Sequence, residues 1–259
     1  MKEGILKVWK HIYVAKGLIA IAFVTIFALY MSKNDDAPVS TIVSEKEIPI
    51  YCVDTDEKKV ALTFDAGWGD EYTEEILKIL ADNNIKATFF VTGEWVEKYP
   101  EDVKKIVEAG HDIGNHSENH RNMSTLTEEE NKEEIMSVHN KVKALTGIDM
   151  TLFRAPYGDY DEESIKIIKS SGYFPIQWSV DSLDWKNYGS ENIISTVLQN
   201  KNLESGAIIL MHNGAKYTTA ALQAIIDGLK NQGYSFAKVS ELIYKDGYKI
   251  DNTGKQVKE

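Results

Sequence analysis

The amino-acid sequence predicts an α/β protein in which about seven parallel strands form a distorted (β/α) barrel, preceded by an N-terminal transmembrane helix. From Lys59 onward, short apolar segments typical of strands alternate with amphipathic segments typical of helices. Several strand-like segments end in ionisable groups, which is where α/β proteins place their chemistry. An apolar segment with lysines on its N-terminal side comes before all of these elements.

Residues 1–31 predict the cytoplasmic N-terminus and a signal anchor. Four lysines precede the uncharged run GLIAIAFVTIFALYM, residues 17–31. At about 1.5 Å per residue this run is shorter than the roughly 30 Å core of a bilayer, so the span must include residues 12–15 while Lys16 reaches back to the headgroups. A cleavable signal peptide is the alternative, but Tyr30 stands where a small residue is wanted. We therefore expect a single-pass protein of the cell membrane with its main domain on the extracytoplasmic side.

Composition limits the function classes. The chain has 259 residues, 43% hydrophobic and 27% charged, which is typical of one globular domain. Its net charge of −11 gives no basic footprint for nucleic acid, and nothing indicates a protein partner. The single Cys52 excludes an internal disulfide framework and a Cys-rich zinc site. We expect residues 32–57 to be a linker that includes an edge strand, residues 58–246 to be the main domain, and residues 247–259 to be a frayed polar tail.

The elements of the main domain follow from periodicity and from end signals. The predicted strands share β-prone apolar residues and cover 60–64, 87–91, 112–115, 152–155, 174–179, 207–211 and 235–239. The predicted helices share an apolar face and cover 71–83, 100–109, 127–145, 161–171, 190–199 and 218–231. Pro100 suits a first helical turn, Thr127 and Glu130 have capping-box spacing, and Gly147 suits a helix end.

Alternation of strands and helices implies parallel strands joined by right-handed crossovers, which fits both an open doubly wound sheet and a closed barrel. Polar groups follow the first, third, fourth, fifth and sixth predicted strands. An open sheet gathers its site at one switch point, whereas a ring brings many strand ends to one mouth. The spread of the polar endings therefore favours the barrel.

Two of these strand ends carry candidates for an acid and for a metal site. Asp65 follows the first strand and precedes a glycine-rich turn, where a lone carboxylate could equally cap the next helix. His116 and His120 are four residues apart, a spacing that puts both imidazoles on one face of a helical turn and can hold one metal ion. A pair of surface histidines is the alternative, but the acid-terminated strand and the isolated His212 downstream favour the metal site.

The later endings supply candidates of other kinds. Arg154 ends a short strand beside the turn of Pro156 and Gly158, where it could hold a carboxylate with both of its terminal nitrogens. The segment SVDSLDW offers Asp181 and Asp184 as acids that could orient a histidine, although a capped turn with a core tryptophan explains it equally well. His212, after a fully apolar strand, repeats the arrangement of Asp65.

The segments TFDAGWGD, HSENH, RAPYG, DSLDW and LMH occur in the order of the five motifs of the polysaccharide deacetylase family, the NodB-homology group or carbohydrate esterase family 4. The resemblance covers about residues 58–245 and is greatest to the peptidoglycan and sporulation deacetylases of spore-forming bacteria. It implies a (β/α) barrel and a hydrolase that removes N-acetyl groups from amino sugars of a cell-wall polysaccharide, most of all peptidoglycan. An N-acetylated cell-wall glycan is then the partner.

The resemblance also implies roles for single residues. Asp65 would be the general base that activates water, and Arg154 would tether it. His212 would be the general acid for the leaving amine, and Asp184 would orient it. His116 and His120 would be ligands of a divalent metal, and zinc is the expected ion. The backbone N–H of Tyr157 would donate to the oxyanion. Trp185 and Leu210 would form the wall of the acetyl pocket.

The chain departs from the family pattern at Ala66, where the first motif usually has a second acid that binds the metal. A methyl group cannot coordinate, so water fills the gap, or Asp70 swings in from the turn, or metal binds weakly. The departure leaves open a catalytically lapsed glycan-binding or spore-assembly protein on the same fold. An O-acetyl esterase acting on a xylan-like polymer is a further alternative, because ester and amide hydrolysis share this machinery.

Overall fold

A computed structural model describes residues 47–259 of the chain. The strands are β1 to β11, in chain order: Cys52–Val53, Lys59–Ala66, Thr88–Val91, Asp112–Asn115, Leu152–Phe153, Phe174–Pro175, Val180–Asp181, Ile208–His212, Ser235–Phe236, Tyr248–Ile250 and Lys255–Lys258. The α-helices of this part are α1 to α8: Thr73–Asp82, Gly93–Lys98, Pro100–Glu108, Glu128–Thr146, Glu162–Ser170, Ser190–Leu198, Thr218–Asn231 and Val239–Leu242. Short 3₁₀ turns lie at Met123–Thr125, Pro156–Gly158 and Asp184–Lys186.

Seven parallel strands form the main sheet, in the order β6-β5-β4-β3-β2-β8-β7, and β9 pairs with the start of β2. The two edge strands, β6 and β7, come from one continuous segment, residues 174–181. Its first part pairs with β5 and its last part with β8, so the sheet curls around towards itself as a partial barrel. The predicted parallel (β/α) architecture is therefore confirmed, as a curled sheet rather than an even ring.

β2 lies at the centre of this sheet because its sequence, KVALTFDA, is apolar and β-prone, and all but its first residue are buried. Side chains alternate between the two faces of a strand. Val60, Leu62 and Phe64 pack outward under the helices in the larger hydrophobic cluster, whereas Ala61 belongs to the smaller cluster on the inner face. Asp65 is in step with Ala61, so its carboxylate is carried on the inner face.

Local signals account for the helices that frame the sheet. Thr127 and Glu130 form the predicted capping box at the start of α4, and Gly147 ends that helix with a positive φ of 77°, which a glycine adopts without strain. Pro100 opens α3 as predicted. The helix α2 was not predicted, because its six residues are too few to show a helical period.

The prediction of a frayed C-terminal tail is wrong. β10 and β11 form an antiparallel pair, and β1 adds to it in parallel to complete a three-stranded sheet. The predicted edge strand of the linker is confirmed as β1. The polar sequence of the tail hides this order because Gln256 is buried and exchanges two hydrogen bonds with the backbone of Tyr244, at 2.7 and 2.9 Å. Polar residues are buried when all their hydrogen-bonding groups have partners.

The predicted anchor, residues 1–31, and most of the predicted linker lie outside the described residues. Between Glu47 and Glu259, no helix is both long and apolar enough to cross a membrane.

Candidate active site

Asp65 stands at the inner face of β2 with one side of its carboxylate fixed by Arg154. Arg154 follows β5, is fully buried, and its Nη1 donates to Asp65 Oδ1 at 2.7 Å and to Thr63 Oγ1 at 2.9 Å. Its Nη2 donates to the backbone carbonyl of Gln177 at 3.1 Å, and its guanidinium carbon lies 4.1 Å from the ring centre of Phe90. The arginine is therefore held from several sides, and it binds Asp65 through Nη1 alone rather than through both terminal nitrogens. The other oxygen, Asp65 Oδ2, lies 3.4 Å from His116 Nε2 at the cavity.

The charge of Asp65 is maintained in spite of its burial. The residue is only 4% exposed, and burial alone would raise its pKa. The Arg154 guanidinium, with smaller contributions from His116 and His212, outweighs that effect and lowers the pKa of Asp65 below its ordinary value. Asp65 is therefore a carboxylate, able to accept a proton, across the neutral pH range.

His212 lies directly beside Asp65, because the two residues are register partners where β2 pairs with β8. Asp184, which is fully buried, accepts from His212 Nδ1 at 2.7 Å, from the His212 backbone N–H at 2.7 Å and from Thr218 Oγ1 at 2.7 Å. These bonds fix the imidazole with its Nδ1 towards Asp184, so that Nε2 is the nitrogen available to a ligand. The predicted convergence of Asp65 and His212 is therefore found.

The pKa of His212 moves in the direction that a proton donor needs. Burial alone would lower it, but the hydrogen bond and negative charge of Asp184, with Asp65 and Asp181 as further acids, raise the pKa of His212 above its ordinary value. The lowered pKa of Asp65 favours its charged, proton-accepting form, and the raised pKa of His212 favours its protonated, proton-donating form. This is the pairing that hydrolysis of an amide by acid and base requires.

His116 and His120 approach each other as two ligands of one metal would. Their Nε2 atoms are 3.2 Å apart, close to the separation of about 3.3 Å for two nitrogens bound tetrahedrally to one zinc ion. His116 Nδ1 donates to the carbonyl of Arg154 at 2.7 Å, which leaves its Nε2 lone pair pointing inward. Burial lowers the pKa of both rings, that of His120 to about 4, so both are neutral at pH 7.

The rest of a metal site is incomplete. Ala66, at the position of the usual second acid, is buried and offers no ligand atom. Asp70 is not among the cavity-lining residues, although the sequence had suggested that it could replace the missing acid. Among residues 47–259, no group of three or more His, Cys, Asp or Glu side chains is arranged to hold a metal ion. The histidine pair therefore fits a metal in part, and no protein ligand completes the site.

Asp65 and the imidazoles of His116, His120 and His212 open onto one cavity of about 430 Å³, within the usual range of roughly 300–1,000 Å³ for small-ligand sites. The lining residues are Asp65, Trp68, His116, His120, Tyr157, Trp178, Asp181, Trp185, Leu210 and His212. Arg154 and Asp184, the other two predicted site residues, stand behind this lining and hold its acid and its imidazole. The structure thus brings together every site residue that the sequence predicted.

Tyr157 has an unusual backbone at the cavity. Its φ of 59° is left-handed, a conformation that a residue other than glycine adopts at a cost, and such strain is often found at functional sites. Within the described part of the chain, its backbone N–H has no hydrogen-bond partner, which leaves that donor available to a ligand. Its side chain is exposed and lies edge-on to His120, with ring centres 4.5 Å apart.

Trp68, Trp178 and Asp181 also line the cavity. The sequence pattern predicted no role for either tryptophan, and it named Asp181 as one of two acids that could orient a histidine. Trp68 lies in the same glycine-rich segment as Asp65, so its nearness to the acid was a signal that could have found it. Asp181 accepts from the backbone N–H of Leu183 at 2.8 Å, and burial raises its pKa. No local pattern indicated that Trp178 faces inward.

Comparison with known proteins agrees with this geometry. The sequence profile of the family described as "Polysaccharide deacetylase" matches residues 53–176. An uncharacterized 30.6 kDa protein of Geobacillus stearothermophilus is 38% identical over 74% of this chain and 74% of its own length. The peptidoglycan-N-acetylmuramic acid deacetylase PdaA of Bacillus subtilis is 35% identical over 78% of this chain and 77% of its own length.

Solved structures give the same answer for the fold. The structure of Bacillus subtilis PdaA, described as a family 4 carbohydrate esterase, has a TM-score of 0.70 at 34% identity and covers 75% of this chain and 84% of that one. BA3943 of Bacillus anthracis, described as a CE4 family pseudoenzyme, has a TM-score of 0.72 at 36% identity and covers 76% of this chain and 69% of that one. A mutant of BA3943 is described as having restored enzymatic activity.

Proposed function

The chain belongs to the polysaccharide deacetylase family, and from that membership we propose that it removes N-acetyl groups from amino sugars of a cell-wall glycan, with peptidoglycan as its substrate. One observation carries the proposal. The Arg154-paired carboxylate of Asp65 and the Asp184-held imidazole of His212 lie side by side on the wall of one cavity. Relatives named as peptidoglycan deacetylases support the choice of substrate.

The mechanism uses each group at a stated atom. Asp65 Oδ2 takes a proton from a water molecule as the water oxygen attacks the acetyl carbonyl carbon. The carbonyl oxygen becomes an oxyanion, which the free N–H of Tyr157 stabilises. His212 Nε2 then donates its proton to the amide nitrogen as the C–N bond breaks. The products are acetic acid, which releases its proton to solvent to become acetate, and the free amine of the sugar. The proton held by Asp65 passes through solvent to His212 Nε2, so both groups return to their starting states.

A divalent metal is part of this proposal only as a weakly held cofactor. His116 and His120 would bind it, and zinc suits two neutral imidazoles. A bound cation would polarise the acetyl carbonyl as a Lewis acid. Because Ala66 supplies no third ligand, we expect weaker binding than in a site with an acid at that position.

Release of acetate from an N-acetylated glycan tests the activity. The native protein should release acetate and leave free amines on the polymer. The Asp65→Asn variant, which keeps the size of the side chain but cannot act as a base, should lose nearly all of the activity. Equal release by the two proteins would refute the assigned role of Asp65, and no release by either would refute the enzymatic proposal.

A second candidate function is a lapsed member that binds the glycan without hydrolysing it. Ala66 favours this reading, as does the similarity to a structure described as a pseudoenzyme. The cavity and its aromatic lining would then serve binding alone. Glycan binding by the native protein without any acetate release, with or without added zinc, would support this function over the enzymatic one.

We also propose that the domain works on the outer side of the cell membrane. The lysines ahead of the apolar run at residues 17–31 support this orientation. The cell wall lies on that side, within reach of a tethered domain. Protease added to intact protoplasts should degrade the domain, and its protection would argue for the opposite orientation or for a different location.

A further inference from the structure

One large aromatic residue at the cavity, Trp68, takes no part in the proton transfers described above. Its side chain is 45% exposed, and it lines the cavity together with Asp65 and His212. An indole left half in water gives up much of the free energy that its burial would contribute. Exposed aromatic surface at a cleft is typical of a ligand-binding site. Trp68 therefore offers apolar contact surface to whatever the cavity binds.

The indole is held in a fixed orientation by the loop that follows β8. Its Nε1–H donates to the backbone carbonyl of Gly214 at 3.1 Å. Gly214 permits this approach because a Cβ there would lie 2.2 Å from the Trp68 carbonyl oxygen and 2.7 Å from Trp68 Nε1. A ring that is already fixed loses little conformational freedom on binding, so its apolar contact contributes more fully to affinity.

The indole also lies against the imidazole of His212. The two ring centres are 5.0 Å apart and the planes are inclined by 33°. In the proposed function His212 must reach the nitrogen of the acetamide. A ring next to His212 is therefore next to the sugar that carries this nitrogen, rather than next to a distant part of the polymer.

The chemistry of a pyranose suits this surface. The C–H groups on one face of the ring form an apolar patch, while the hydroxyls project around its edge. A flat indole can cover the apolar face and remove it from water without burying the hydroxyls. Asp181, which lines the same cavity, is a hydrogen-bond acceptor for such hydroxyls.

We propose that Trp68 is the platform on which the pyranose ring bearing the acetamide stacks. The inference rests on the proposed function for the identity of the ligand, an N-acetylated amino sugar. It requires that the protein binds this sugar, but it does not require that the protein hydrolyses it. It holds equally for an enzyme and for a lapsed glycan-binding protein.

Binding of an N-acetylglucosamine tetramer to the full-length protein tests the platform, with Asp65→Asn in every protein so that hydrolysis cannot interfere. Trp68→Leu should raise the dissociation constant, measured by titration calorimetry, roughly tenfold. Trp68→Phe should recover part of the loss, because it keeps an aromatic face but lacks the N–H bonded to Gly214. Tyr188→Leu is the matched control, because Tyr188 is 68% exposed and does not line the cavity, and its affinity should not change.

If Trp68→Leu binds the tetramer as tightly as the parent does, the platform is overturned. A loss of affinity in Tyr188→Leu as large as that in Trp68→Leu would also overturn it. The monosaccharide should show the same proportional loss, and a loss seen only with the tetramer would overturn the assignment to the reacting sugar. If Trp68→Leu does not fold by circular dichroism, Trp68→Phe decides, and unchanged binding there overturns the proposal. The proposed function itself would be refuted if the Asp65→Asn parent did not bind the tetramer and the native protein released no acetate. That result differs from unchanged affinity in Trp68→Leu, which would refute the platform alone.

Discussion

Replacing Arg154 by methionine should destabilise the fold and at the same time shift the charge of Asp65. The substitution keeps an unbranched side chain of similar length but removes the guanidinium. Arg154 is fully buried and makes three hydrogen bonds, to Asp65, to Thr63 and to the carbonyl of Gln177. Its loss leaves the carboxylate of Asp65 buried without its cationic partner. Breaking a buried ion pair from one side costs about 3–5 kcal/mol in the free energy of unfolding.

The pH dependence of this loss follows from the sign of the shift. In the native protein the lowered pKa of Asp65 contributes stability above the ordinary pKa of about 4, and that contribution is lost as the pH falls through the lowered value. Without Arg154, burial dominates and the pKa of Asp65 should rise above its ordinary value. The variant then gains from protonation as the pH falls, so its deficit relative to the native protein should be largest at neutral pH and smaller in acid.

Chemical denaturation at pH 7 and at pH 4.5, followed by tryptophan fluorescence, measures both effects. The double variant Arg154→Met with Asp65→Asn is the matched control, because an amide needs no countercharge. It should be more stable than Arg154→Met alone at pH 7. A deficit below about 1 kcal/mol, or a double variant less stable than the single one, would show that Arg154 does not neutralise Asp65 as described.

Three further predictions concern other parts of the site. Ala66→Asp should tighten zinc binding measured by calorimetry, because it restores a carboxylate at the position where the family usually has its second acid, and equal affinity in the two proteins would refute that role. Asp184→Asn should lower the raised pKa of His212, so the alkaline limb of the rate profile should move to lower pH, and an unmoved limb would exclude His212 as the acid. Glu134→Ala should cost about 2 kcal/mol and loosen the loop before His120, since the buried Glu134 accepts from the backbone and side-chain amides of Asn119 at 2.8 Å each. If hydrogen exchange in that loop of Glu134→Ala is as slow as in the native protein, the prediction for Glu134 is contradicted. Glu134→Gln keeps one acceptor, so its stability and its loop should change less.

The site was more predictable from the sequence than the ends of the domain. Asp65 and His212 could be placed because each lies at the C-terminal end of a mostly apolar strand, and the carboxyl ends of parallel strands meet at one edge. The capping box at Thr127 was readable because it depends on residues three positions apart. These features depend on short sequence separations or on a strand as a whole.

Features that depend on distant partners were not readable. The bond from Trp68 to Gly214 joins residues 146 positions apart, and neither local sequence hints at the other. β11 forms because backbone groups pair with β1 and β10 and because Gln256 finds partners on Tyr244, which leaves no hydrophobic period in the sequence. The length of β9 was overestimated for a similar reason, since Val239 begins a helix once its backbone N–H bonds to Thr88.

The acid–base part of the site and the metal part can be separated in this chain. Asp65, Arg154 and Asp184 are charged groups placed in a low-dielectric interior, and buried ion pairs of this kind contribute little net stability compared with apolar packing. Their arrangement around a cavity is therefore better explained by what they do to a bound ligand than by what they do for the fold. Ala66 leaves every one of their hydrogen bonds intact and removes only a metal ligand. An enzyme limited by weak metal binding should respond to added zinc or to Ala66→Asp, whereas a protein that has lost the reaction altogether should bind the glycan and respond to neither.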